Sequence, residues 1–172
     1  MRYVALWRGI NVGKAKRLAM ADLKVLLTEL GATNVSTLLN SGNAVFDAKK
    51  KLDAGQIRSA VAAKLGVDAL VLLKTADEWA PIAADQPIAD AEDPSKLLVA
   101  IPADAAVLKT LTNFTPDPGE RFATTAHAAY LYCGNGILES KLGIALLKPL
   151  GAACTTRNWG TVSKLDALVK RT

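Results

Sequence analysis

Two periodicities alternate along this chain, and the order in which they do so limits the folds open to it. Residues 2–8 form a strand-like run. Met20, Leu23, Leu26, Leu27 and Leu30 then keep helical spacing over 19–30, and Gly31 follows as a stop. Residues 33–39 return to a period of two, with Thr33, Val35 and Thr37 on one face. The segment Asn40-Ser41-Gly42-Asn43 is turn chemistry, because Asn and Gly accept positive φ at little cost. Val45 and Phe46 beyond it complete a hairpin. Asp53 caps a helix that reaches Lys64 and closes at Leu65-Gly66, and residues 67–73 give a fourth strand. Thr75 to Glu78 is a capping box that opens a short helix.

Residues 85–94 carry two prolines and four acids, the composition of a connection. Beyond them the pattern resumes. A strand at 96–101 is followed by a helix at 104–111, a loop at 113–120 and strands at 121–125 and 128–133. A helix over 137–148 ends at Pro149 and Gly151, and 152–156 gives a short last strand. A terminal helix spans 159–171, with Asn158 as its cap. The order β-α-β-β-α-β therefore occurs twice, which is the ferredoxin-like order. The expected fold is α+β: two tandem ferredoxin-like (βαββαβ) units packed together, with a C-terminal helix. The expected domains are 1–84 and 95–172, joined by 85–94. Each sheet would carry helices on one face, and packing two units together would bury the other.

Composition narrows the function classes. Apolar residues make up 51% of 172, enough for a core. No apolar run approaches the ~20 residues of a membrane span, and the start, Met1-Arg2-Tyr3-Val4, is already strand-like. These features predict a cytoplasmic protein with no membrane partner. Cys133 and Cys154 are too few for a disulfide framework and sit among apolar residues, so they read as buried thiols. With His127 as the single histidine there is no zinc ligand set, and no metal is expected. A Ser-His-Asp triad would have to use His127, but no nucleophile-elbow pattern accompanies it. The net charge of +5 favours anionic partners. Lys49-Lys50-Lys51 reads as a solvated connection. Tyr3, Trp7, Phe46 and Trp79 read as core residues and not as a stacking platform for RNA.

Three polar segments stand out: Arg8 to Arg17 ("RGINVGKAKR"), Ser41-Gly42-Asn43, and Thr155 to Gly160 ("TTRNWG"). Glycine lets consecutive N–H groups face an anion, and arginine supplies a planar fork for phosphate or carboxylate. Helix N-termini, here after Arg17 and Asn158, add partial positive charge. The candidate ligand-binding residues are Arg8, Asn11, Gly13, Arg17, Ser41, Asn43, Thr156, Arg157 and Asn158. "RGINVG" is neither G-x-G-x-x-G nor a Walker sequence, and no cofactor is implied. No residue stands out as a general base, so no reaction is assigned.

At these segments the chain resembles a known family. "RGINVG", Leu18-Ala19-Met20 entering a Leu-rich helix, "SGNAVF", "SK" at 140–141 and "TTRNW" occur in the order and spacing of the bacterial family called domain of unknown function 1697. The resemblance spans nearly the whole chain and implies a two-part α+β protein with no assigned reaction. The family's strongest positions fall on Arg8, Gly9, Asn11, Gly13, Ser41, Gly42, Asn43, Thr156, Arg157, Asn158 and Trp159. The chain departs at Lys14, where the family usually has a second glycine, and at Arg17, where lysine is common. Three readings are open at this point: a binder or enzyme for an anionic small molecule or nucleotide, a nucleic-acid-binding module, and turns that serve structure alone. The oligomeric state is not legible.

Overall fold

The computed structural model describes residues 1–111, 114–150 and 153–171. Asn113, Gly151 and Ala152, assigned from sequence to a loop, a helix stop and a strand start, lie outside the described residues. The chain divides into two compact units, residues 1–79 with 165–172, and residues 80–164.

Unit 1 contains β1 (Arg2–Trp7), α1 (Met20–Glu29), β2 (Ala32–Thr37), β3 (Asn43–Ala48), α2 (Ala54–Leu65) and β4 (Val71–Thr75). Its four strands are antiparallel in the order β2-β3-β1-β4. Strand β1 is central, and Tyr3, Ala5 and Trp7 join Phe46, Leu23, Leu26, Leu27, Ile57 and Val61 in one core. Alternation along the strand and 3.6-residue spacing along the helices put these side chains on facing surfaces. Each leucine of α1 contributes about 2 kcal/mol by leaving water. Tyr3 and Phe46 stack at 5.6 Å. Helix α2 is bounded as its sequence demands. Asp53 accepts from Gly55 N and Gln56 N, and Gly66 ends the helix at φ 69°.

Strand β4 begins at Val71, later than the expected residue 67. Its partner decides this: Trp7, the last residue of β1, pairs with Val71. Val67 and Ala69 are buried all the same, outside the ladder. The capping box at Thr75 and Glu78 forms in both directions and opens α3 (Ala76–Ala84), which continues into unit 2. Trp79 within it is fully buried. Arg2, the first residue of the central strand, ties the sheet to residues 169 and 171. Its Nε and Nη2 meet Asp47 at 2.9 and 3.0 Å, while Nη1 donates to the carbonyls of Val169 and Arg171.

Unit 2 contains β5 (Leu97–Pro102), β6 (Glu120–Thr124), β7 (Ala129–Cys133), α4 (Lys141–Leu150) and β8 (Cys154–Asn158), in the antiparallel order β6-β7-β5-β8. Helix α5 (Trp159–Val169) follows β8 and runs on into the residues of unit 1. The core gathers Leu98, Ala100, Leu131, Leu142, Leu146 and the thiols Cys133 and Cys154, both buried and neither in a disulfide.

Three expectations are corrected here. Residues 105–110 form a 3-10 helix, because Asp104 caps only Ala106 N and the turns close three residues apart. The helix expected over 137–148 is broken at Ser140, an extended residue (φ −77°, ψ 113°) whose Oγ accepts from Gly143 N and starts α4 afresh. The last strand runs to Asn158 and not to 156, since Leu98 to Pro102 of β5 pair with Asn158 to Cys154. Among the described residues no helix is long and apolar enough to cross a membrane.

Candidate functional site

The connection from β1 to α1, residues 8–19, makes one corner of unit 1. Arg8 N donates to Leu70 O, and Asn11 N donates to Lys16 O at 3.0 Å. Gly9, Asn11, Gly13 and Lys16 all have positive φ, between 49° and 68°. The loop therefore folds back on itself and leaves residues 12–17 exposed. Lys14 is not among the residues with positive φ, so the second glycine common in the family is not required for this loop's shape.

Asn11 holds the corner together. Its amide nitrogen donates to Leu18 O (2.8 Å) and Asn40 O (2.7 Å), and its oxygen accepts from Leu18 N (2.9 Å). Both amide hydrogens are thereby taken by backbone. Asparagine is also the residue best suited to φ 55° after glycine. The bond to Asn40 ties the corner to the turn before β3. That turn begins earlier than expected: Leu38 N donates to Asn43 O, and Asn43 is already the first residue of β3. Gly42 has φ 86°, and a Cβ there would lie 2.5 Å from Ile10 Cδ1 and 2.8 Å from Trp7 Cβ. Only glycine lets the turn lie this close to the corner. Asn43 is fully buried, and its amide donates to Leu38 O and Ser41 Oγ.

At the end of the corner lies a cavity of about 420 Å³, lined by Asn11, Arg17, Leu18, Ala19, Asp22 and Asn40. It sits at the N-terminus of α1. Ala19 occupies the cap position with extended backbone (φ −73°, ψ 132°) and no side-chain cap bond. The first N–H groups of α1 thus lack the partner that Asp53 supplies to α2. Arg17 is exposed on the rim and makes no ion pair among the described residues. Asp22 brings one negative charge to the same rim. The structure thus brings Asn11 and Arg17 to one cavity, with Asn11 tied to the turn that carries Ser41 and Asn43.

Thr156, Arg157 and Asn158 belong to unit 2 and lie in β8, not in a turn. Arg157 is 9% exposed, and its Nη1 donates to Thr155 Oγ1 and Thr156 O. Removal from water pushes its pKa down to about 10. Asn158 is the cap of α5, as expected: its oxygen accepts from Thr161 N and Oγ1, both at 2.9 Å. Burial raises the Cys133 thiol and takes the Tyr130 phenol, which donates to Ile82 O, to about 12. Among the described residues no group of His, Cys, Asp and Glu could hold a metal ion.

The cavity residues Ala19, Asp22 and Asn40 were not among the sequence candidates. One signal was available: no Ser, Thr, Asp or Asn stands at the cap position before Met20. The reading of Tyr3, Trp7 and Phe46 as core is borne out, since they are 2%, 0% and 0% exposed. None offers a ring face to a nucleobase.

Fold and corner together define a mixed α/β protein with two four-stranded antiparallel sheets and a glycine-edged polar corner on the first. The family described as protein of unknown function (DUF1697) matches residues 1–132, and the chain belongs to it. Among solved structures the chain is similar to the conserved bacterial protein SP0830 from Streptococcus pneumoniae. The identity is 22%, 98% of each chain is covered and the TM-score is 0.76, a likeness of fold. No curated protein matches the chain.

Proposed function

We propose that the corner of unit 1 binds a phosphate- or carboxylate-bearing small molecule in the cavity at the start of α1. The observation that carries this reading is the N-terminus of α1, without a side-chain cap, beside Arg17, which forms no ion pair among the described residues. A bound anion would accept from the first N–H groups of the helix and meet the guanidinium at the rim. Gly13 shapes the loop, and Asn11 keeps Leu18 and the cap position in place. Arg8, Ser41 and Asn43 belong to the same corner and its turn. In unit 2, Arg157 Nη1 donates to Thr155 Oγ1 and Thr156 O, and Asn158 caps α5. No reaction is assigned, because no general base lines the cavity in a recognisable arrangement.

Each half is read as a ferredoxin-like unit, supported by the strand orders β4-β1-β3-β2 and β8-β5-β7-β6. The matching domain limits are 1–84 and 95–172, and the sequence grounds for a cytoplasmic location stand beside them. The test is titration with inorganic phosphate, followed by calorimetry and thermal shift. Binding with a Kd of about 1 mM or tighter is expected, weakened about tenfold in Arg17→Ala. Ala19→Asp, which places a capping carboxylate where the anion would sit, should abolish binding and raise the melting temperature. One observation favours a second reading, in which the corner is structural alone: the amide hydrogens of Asn11 and Asn43 are already taken. Wild-type protein with no response to phosphate, sulfate or nucleotides would decide for it.

A further inference from the structure

Unit 1 has a second and larger cavity, about 680 Å³, along the edge strand β2. It is lined by β2, by Lys24 and Thr28 of α1, by Arg2, and by Leu168 and Arg171 at the end of the chain. Among the described residues three cations line it and no carboxylate does. Arg2 is already engaged with Asp47 and the α5 carbonyls. The side chains of Lys24 and Arg171 make no hydrogen bond or ion pair among the described residues. Elsewhere in the unit Arg58 and Lys64 pair with Asp68 and Glu29. The wall between the cations is mixed: Ala32, Val35, Val45 and Leu168 supply its apolar part, and Thr28, Thr33, Asn34 and Ser36 its polar part.

The geometry points to a binding site for a small organic anion with an apolar body, its head group held by Lys24 and Arg171 and its body resting on Val35 and Leu168. The form of β2 argues for a small molecule over an added peptide strand. Its register with β3 slips between Thr33 and Ser36, and Asn34 sits at φ 53° with its amide held by Asp47. A bulged edge resists strand addition. Backbone strain of this kind gathers where a ligand is gripped. The site is separate from the cavity at the start of α1, whose lining shares no residue with it.

The probe is 1-anilinonaphthalene-8-sulfonate, an apolar ring system with one fixed negative charge. Its fluorescence should rise saturably on the folded full chain, and amide NMR shifts should centre on residues 33–36. Lys24→Glu and Arg171→Glu should each weaken binding about five- to tenfold, as loss of one ion pair and gain of one repulsion require. The neutral N-phenyl-1-naphthylamine should bind more weakly and respond to neither variant. Both substituted residues are exposed, and circular dichroism melts would verify that the variants fold. The inference is overturned by equal dye affinity in wild type and both charge-reversal variants. Amide shifts at residues 11–22 in place of 33–36, or no saturable binding at about 1 mM dye, would overturn it equally. The α1 cavity is tested by phosphate on Arg17→Ala, so the two readings fail separately.

Discussion

The two units share one strand order but leave their central strands differently. From β1 the chain takes residues 8–19 to reach α1; from β5 it takes only Ala103 and Asp104 to reach the 3-10 helix. The short route needs one cap, Asp104 to Ala106 N. The long route needs an internal scaffold, which Asn11 and Gly42 provide. A long polar connection held from within can present a helix start without a cap, whereas the short one is closed by its own cap: a cavity of about 400 Å³ lies beside the 3-10 helix, but the Asp104 carboxylate already takes the Ala106 N–H there. Within a shared strand order, it is the connection that separates a candidate site from plain architecture.

This contrast can be broken at several points, beginning with the strongest. Among the described glycines, Gly42 in unit 1 and Gly134 in unit 2 are the most tightly enclosed. A Cβ on Gly134 would lie 2.3 Å from the Gly119 carbonyl oxygen, and one on Gly42 would strike Ile10 and Trp7. Gly134→Ala and Gly42→Ala should each lower stability by about 3 kcal/mol in urea melts. Equal wild-type midpoints would show that the corners can give way. Asn11→Ala should cost about 2 kcal/mol, because it strands Leu18 and Asn40 backbone groups and puts alanine at positive φ. Asp104→Ala in unit 2 should cost only about 1 kcal/mol, the ordinary value of a cap. If the two losses match, the long connection has no scaffold of its own.

Ala19→Asp sharpens the comparison in the other direction. It should gain about 1 kcal/mol, where Asp53→Ala loses a similar amount. The smallest effect concerns acid. Asp47 is held below its ordinary pKa, first by Arg2 and then by Asn34. A folded-state pKa below the unfolded one gives stability that is complete above the unfolded value and is lost as pH falls through the folded value. Asp47→Asn should therefore flatten the acid limb below about pH 4, by less than about 1 kcal/mol for this part-exposed pair. A parallel limb in wild type and variant would remove the clamp from the account.

Much of the architecture was legible from sequence because its signals are local. Asp53, Gly66, Asn158 and the Thr75–Glu78 box act within one turn of their positions, and the structure uses each as expected. The misplacements came where a partner far along the chain decides. Val67 to Leu70 have strand composition, but β1 ends at Trp7, and beyond the single bond from Arg8 N to Leu70 O the ladder does not continue. Thr156 to Asn158 have turn composition, but β5 extends them as strand. The corner was half legible. Glycine and arginine marked its place, while the capture of both Asn11 hydrogens by Leu18 and Asn40 depends on a tertiary contact that spacing does not reveal.

The Arg2 clamp has a consequence for synthesis. On the ribosome, residues 1–79 emerge first, yet Arg2 reaches its partners at Val169 and Arg171 only after everything between them has been translated. Unit 2, by contrast, is an unbroken stretch of chain. The half that is born first is therefore completed last: its four strands can pair as soon as they emerge, while Arg2 waits for two of its acceptors until the closing helix has left the exit tunnel.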